Sequence, residues 1–151
     1  MADAVTFAGT LIGVSAGVPA TYDETGFAAL TYTSIGEVSS APGDGGTVFE
    51  DVSYTVLAQR ATKHLKGTSD QPEETMEIVV DRNDPGQIIL KAALLSDDQY
   101  SFKVTYNNGE IDYYQALVTG NSGTGGDSNT VRMRTVTFRR DYRDVVSVAA
   151  P

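Results

Sequence analysis

The chain has no cysteine and no tryptophan, and its only histidine is His64. Without cysteine there is no disulfide framework, no thiol nucleophile and no thiolate metal ligand. A single imidazole leaves few of the side chains from which catalytic or metal centres are built, so the sequence points to a protein that works through its surface. Basic residues are also missing from a long stretch: residues 1–59 carry seven acids and no lysine or arginine. Residues 60–130 hold eleven acids against six bases, and residues 131–151 two acids against five arginines, which gives local charges of −7, −5 and +3 within the total of −9. An acidic body of this kind repels nucleic-acid phosphate, while the basic C-terminal segment either binds an anion or pairs with acidic protein surface. No apolar run approaches the length of a membrane span, so no membrane partner is expected. The stretch from Ala4 to Ala20 does not read as a signal peptide, because Asp3 stands where a positive region belongs and Gly9, Thr10, Gly13 and Ser15 interrupt the apolar residues. The expected site of synthesis is a cytoplasm.

At 151 residues the chain is one domain's worth, with loose terminal segments expected. Its most legible part runs from Thr75 to Gly120. Met76, Ile78 and Val80 alternate with Thr75, Glu77 and Asp81, the period-2 pattern of a half-buried strand. Asp84, Pro85 and Gly86 follow as an N-cap with proline at the first helical position. The spacing of Ile88, Ala92 and Leu95, with Ile89 and Ala93 beside them, predicts a short helix over about residues 85–96 with that stripe packed on a sheet. Tyr100, Phe102, Val104 and Tyr106 then alternate with polar residues, turn at Asn107 to Gly109, and return from Glu110 to Thr119 as a hairpin.

Strands are also expected over Val5 to Val14, Phe27 to Val38, Val48 to Ala58 (with Val52, Tyr54 and Val56 inward) and Arg60 to Gly67. A last strand is expected over Val131 to Arg140. Loops are expected at Ser39 to Gly46, Thr68 to Glu74 and Gly120 to Asn129. In the last strand Arg132 and Arg134 share parity with Val136 and Phe138, which predicts a bulge or a face covered by another molecule. Read from this pattern, the chain is mainly β, with about seven strands, one helix and long loops.

Candidate chemistry is thin. Gly13 to Gly17 spell G-x-S-x-G, yet no helix follows and the chain lacks the repeated βα units of a hydrolase, so a small-residue turn is the better reading. His64 lies between Lys63 and Lys66 and reads as a solvated or interface side chain. Thr124 to Asn129 has the letters of a calcium loop in a single copy, which reads as a flexible loop. Asp84, Asp97 and Asp98 are accounted for by helix capping and termination. The arginines near the C-terminus are interrupted by Asp141 and Asp144, and stacking partners for a nucleic acid are sparse among them. No catalytic residue, cofactor or metal is assigned.

The order of features resembles one known family. The segment Tyr32 to Val38, a Pro/Gly loop, the strand Val48 to Ala58, "KGT" at Lys66 to Thr68, "MEIVVDRNDPGQIILKAAL" from Met76 to Leu94 and the following hairpin are similar to the major tail tube proteins of long, non-contractile-tailed bacteriophages, over roughly residues 20–140. The resemblance implies an antiparallel β-sandwich or small barrel with one flanking helix, and a structural, non-enzymatic virion subunit that assembles into hexameric rings stacked into a hollow tube through which the genome passes. Its partners would be itself, with tail tip, tape measure and terminator proteins, and DNA would pass the lumen without specific binding. Tube proteins of contractile tails and of type VI secretion are the near alternatives. A carbohydrate-binding β-domain using Tyr113, Tyr114 and Tyr142 is the remote one. Because residues 1–59 hold no base, inter-subunit contacts are expected between Arg132, Arg134, Arg139, Arg140 and Arg143 and the acids Asp44, Glu50, Asp51, Glu73 and Glu74, with Pro42 on the same contact loop.

Overall fold

The computed structural model describes residue 4, residues 6–43 and residues 45–150. In chain order the elements are β1 (Leu11–Ser15), α1 (Glu24–Ala28), β2 (Thr33–Ser34), β3 (Val38–Ser40), β4 (Val48–Val56), β5 (Ala61–Asp70) and β6 (Glu73–Val79), then α2 (Pro85–Leu95), β7 (Tyr100–Thr105), β8 (Ile111–Gly123), β9 (Met133–Arg140) and β10 (Val146–Val148). Eight strands form one antiparallel half-barrel sheet in the order β2-β1-β7-β8-β9-β6-β3, with β10 also on β8. The long β8 makes this possible. Its Ala116 to Gly123 half pairs with β9, and its Ile111 to Tyr113 half pairs with β10, so β10 continues the edge that β9 leaves. Strands β4 and β5 belong to a separate two-stranded sheet.

The core follows from period 2. Ile12, Val14, Phe102, Val104, Tyr114, Ala116, Val136, Phe138, Met76 and Ile78 point from five adjacent strands into one buried layer, covered by Leu90 and Ala93 of α2. At its centre the rings of Phe102, Tyr114 and Phe138 stack on one another with centroids 5.4 to 5.8 Å apart. The predicted cap forms: the Asp84 carboxylate accepts from the Gln87 amide at 3.0 Å and from the Gly36 amide at 3.1 Å, tying the helix start to the chain entering β3. Buried Gln87 extends that tie. Its amide nitrogen donates to the carbonyls of Gly36 and Val79, and its oxygen accepts from the Asp81 amide. A Cβ on Gly86 would lie 2.5 Å from the Ser34 carbonyl oxygen, so only glycine allows the helix to approach this closely.

The structure departs from the sequence pattern in several places. The helix turns a different face to the sheet: Leu90, Ala93 and Gln87 are buried, while Ile88, Ala92 and Leu95 lie outward. The helix is apolar nearly all round, so its periodicity does not single out the inner stripe. Phe27 to Val38 is not one strand. Asp23 caps α1 by accepting from the Gly26 amide at 2.8 Å, and Phe27 is buried against Tyr113, with short β2 and β3 following. Strand β1 starts at Leu11, later than expected, and the expected Val5 lies outside the described residues. β5 runs on to Asp70 and β6 begins at Glu73, so most of the expected Thr68 to Glu74 loop is strand. β8 likewise continues to Gly123. The bulge expected in the last strand sits on its partner, between Val118 and Gly120 of β8.

Candidate functional site

The β4–β5 hairpin is an arm without a core. Val52 pairs opposite Leu65, Ser53 opposite His64, Tyr54 opposite Lys63 and Thr55 opposite Thr62, joined by a turn at residues 57–60. No residue of either strand is buried. An isolated two-stranded hairpin is marginally stable in water, and this arm has little beyond its own cross-strand pairs to hold it.

Its two faces differ. On one, His64 Nδ1 lies 3.0 Å from both Asp51 carboxylate oxygens, the Thr55 and Thr62 hydroxyls are 3.3 Å apart, and the Lys66 ammonium sits 5.0 Å from the Phe49 ring centroid. These are local cross-strand pairs. On the other, Val52, Tyr54, Val56, Ala61 and Leu65 make an apolar strip, with Val52 48 %, Tyr54 46 % and Leu65 57 % exposed. At the turn, Leu57 is 93 % exposed. Val52, Tyr54 and Val56, expected inward, therefore do not face this chain's core. Their alternation is that of a strand with one covered face, and no described residue of the subunit covers it.

The C-terminal arginines have different fates. Arg140 is interior: its side chain is 1 % exposed, donates to Glu74 at 3.2 Å and to the Gly43 carbonyl, and lies 4.6 Å from the Tyr114 ring centroid. Both ends of the Arg140–Glu74 pair are thus joined within one chain, and Pro42 of the same loop is fully buried and offers no surface. Arg139 is surface, 3.4 Å from Asp70 and opposite Glu73 in the β6–β9 register. Half-buried Arg134 donates to the side chain and carbonyl of Asn121. Arg132, Glu50, Asp51 and Glu73 are exposed, and Asp44 lies outside the described residues.

Arg143 closes onto Asp141 at 2.6 Å and covers the Tyr22 ring at 4.0 Å. Burial raises the Asp141 carboxyl, but hydrogen bonds from Arg143 and Gln99 outweigh it and hold the group below the ordinary aspartate value. A carboxyl depressed in the folded state contributes stability above its unfolded pKa, and that contribution is lost as pH falls through the folded value. Thermal melts from about pH 2 to pH 7 should therefore show part of the acid loss, below about pH 4, absent in Asp141→Asn, with the variant less stable than wild type at neutral pH. Parallel curves for the two proteins would refute this.

Other candidates dissolve on inspection of their surroundings. Ser15 of the G-x-S-x-G stretch is buried at the end of β1, where its hydroxyl accepts from the Gly17 amide, and His64 is out on the arm. Tyr113 and Tyr114 are 4 % and 2 % exposed, which removes two of the three rings of a sugar platform. Asp127 accepts from the Asn129 amide and the Thr130 hydroxyl and so closes its own turn. Among the described residues no helix is long and apolar enough to cross a membrane.

No protein-family profile and no curated protein matches the chain. Its architecture nevertheless recurs in solved structures. A chain of the anti-feeding prophage baseplate, 6-fold symmetrised, superposes with a TM-score of 0.67 at 11 % identity, over 99 % of this chain and 98 % of that one. The tail of the empty gene transfer agent particle, refined with C6 symmetry, gives 0.64 at 15 %, over 97 % and 100 %. The SPP1 tail tube gives 0.60 at 11 %, over 91 % and 75 %. This is the tail-tube fold. The half-barrel sheet, the flanking α2 and the arm of the present chain are all inside the matched span of the first two, which leave almost nothing of the chain unaligned.

Proposed function

We propose that the chain is a structural, non-enzymatic subunit that assembles into stacked hexameric rings, forming the hollow tail tube of a long non-contractile phage tail and a conduit for the genome. The observation that carries this reading is the arm: two long strands with an exposed apolar face and no support from their own subunit, on a tail-tube fold. Self-association covers that face, and the free edges of the sheet are satisfied in the same way. The charge supports a conduit, since a wall with the sign of phosphate repels DNA over a Debye length of about 8 to 10 Å and keeps it from sticking. Tail tip, tape measure and terminator proteins are the partners such a tube would need, and the assembled virion tail its place.

The second reading is the inner tube of a contractile injection system. It is favoured by the similarity to the anti-feeding prophage chain and to a sheath/tube terminator structure of an extracellular contractile injection system, at a TM-score of 0.67 each. Size-exclusion chromatography and negative-stain imaging at rising protein concentration test the shared core of both. Rings or tubes of six-fold symmetry are expected. A monomer that persists at every concentration would falsify both.

A further inference from the structure

The molecule has a second orphan apolar surface, on α2. Ile88 is 55 % and Leu95 81 % exposed, and they sit with Lys91 along the rim of a groove of about 570 Å³ whose far wall includes Val80, Arg82 and Arg134. Ile88 and Leu95 are seven residues apart, about 10.5 Å along the helix. The apolar strip of the arm from Val52 to Val56 is about 13 Å long. The two surfaces are alike in length and unlike in shape: a flat ribbon face and a helix-lined trough.

We propose that the apolar face of the arm of one subunit seats in the α2 groove of a second copy of this chain. This rests on the tube reading above and adds which surfaces meet. Two observations select the occupant. First, the contact is between different patches of one chain, so it is heterologous: each copy offers an arm and receives one, which propagates into rings or filaments, whereas arm-on-arm packing would stop at a dimer. Second, the charges match. The groove carries Arg82, Lys91 and Arg134 against the single acid Asp81. The acids on the apolar face of the arm lie toward its base: Glu50, beside Gly67 and Val52, and Asp70, opposite Val48. Lys63, on the same face and opposite Tyr54, falls nearer the turn. Placing Glu50 against Lys91 and Arg82 brings Lys63 toward Asp97 and Asp98, just past the helix C-terminus, where a cation is favoured. That sets the direction: arm base toward the start of α2, within reach of the long Arg82 and Lys91 side chains, Tyr54 over Leu95, arm tip beyond the helix end.

The absence of native cysteine makes the contact directly testable. Tyr54→Cys chains and size-tagged Leu95→Cys chains are mixed under the conditions of the imaging experiment and mildly oxidised. Asn108→Cys, exposed in the β7–β8 turn, serves as the collision control. The expected result is a mixed disulfide between the Tyr54→Cys and Leu95→Cys chains at least tenfold above either variant with the control. In a second arm, Glu50→Lys and Lys91→Glu should each weaken assembly and restore it when combined in one chain. Tyr54→Cys homodimers as the main product would overturn the proposal in favour of arm-on-arm packing. Wild-type tubes together with control-level mixed disulfide and no charge-swap rescue would overturn it while the tube reading stands. Wild type that never leaves the monomer would overturn both.

Discussion

Arg140→Glu is expected to unfold the subunit, whereas Arg139→Glu, its neighbour, is expected to leave it folded. The two arginines are consecutive on β9 and therefore point to opposite faces, one into the protein and one into solvent. Arg140 lies against Glu74 in a site where its own side chain is 1 % and that of Glu74 22 % exposed. Breaking a buried ion pair by removing one partner costs about 3 to 5 kcal/mol, because the other charge is left without compensation. Reversal adds a second carboxylate to the same space and removes the donor to the Gly43 carbonyl. Against a total stability of about 5 to 15 kcal/mol, the lost pair alone takes most of the margin of a domain near the low end, and the added repulsion takes more. Arg139 by contrast is 44 % exposed and its partner Asp70 72 %, a surface pair screened by water and salt. Urea titrations followed by circular dichroism separate the outcomes: a midpoint shifted to low urea, or no cooperative transition, for Arg140→Glu, and a midpoint close to wild type for Arg139→Glu. Equal midpoints for both variants would show that Arg140 is not the interior residue described above. The consequence for assembly is that Arg140 is tied up within the subunit, while Arg132 and Arg139 remain at the surface.

The reason this distinction was not legible in the sequence is instructive. Arg134, Val136, Phe138 and Arg140 share one parity, and a hydrophobic pattern cannot tell an arginine that interrupts a buried face from one that joins it. What decides is Glu74, two strand positions from the start of β6 and on the neighbouring strand, and register between β6 and β9 is a tertiary fact. The same limit explains α2. Its cap is readable because Asp84 and Pro85 act locally, within one turn, but its inner face is not, because Ile88, Ile89, Leu90, Ala92, Ala93, Leu94 and Leu95 leave only Gln87 and Lys91 as polar positions, and Gln87 is itself buried. The hairpin of β7 and β8 was legible through its turn at Asn107 to Gly109 and its clean alternation. Helix α1 was missed since five residues give almost no periodicity, although Asp23 three positions before Gly26 is a capping signal of the ordinary kind. The alternation of the arm specifies strands, but its apolar face lies outside the subunit's core. Period 2 reports that one face is apolar, and says nothing about which molecule covers it.

Excising the arm should then abolish assembly without destabilising the monomer, a combination that few deletions of this length in a single domain produce. Replacing residues 49–69 by a short Gly/Ser linker removes no member of the core, since the buried cluster draws on β1, β6, β7, β8, β9 and α2 and not on β4 or β5. The ends are also suited to closure. Val48 and Asp70 are paired opposite each other at the base of the arm, so about two to four residues of turn replace the hairpin with little change in loop-closure entropy. Surface changes away from packing usually fall within about 0.5 kcal/mol, and the urea midpoint of the shortened chain should stay near that of the full one. Removing an exposed, separately paired hairpin should also lower the denaturant slope little, because the arm buries scarcely any surface on folding. Assembly is another matter. If the arm is the joint between copies, the shortened chain remains a monomer at concentrations where the full chain forms rings or tubes, and it does not enter wild-type tubes as a receiving and donating subunit when the two are mixed. Tubes of normal appearance from the shortened chain would leave the sheet edges as the whole of the assembly surface. A collapse in monomer stability would show instead that the arm folds back onto its own subunit in solution.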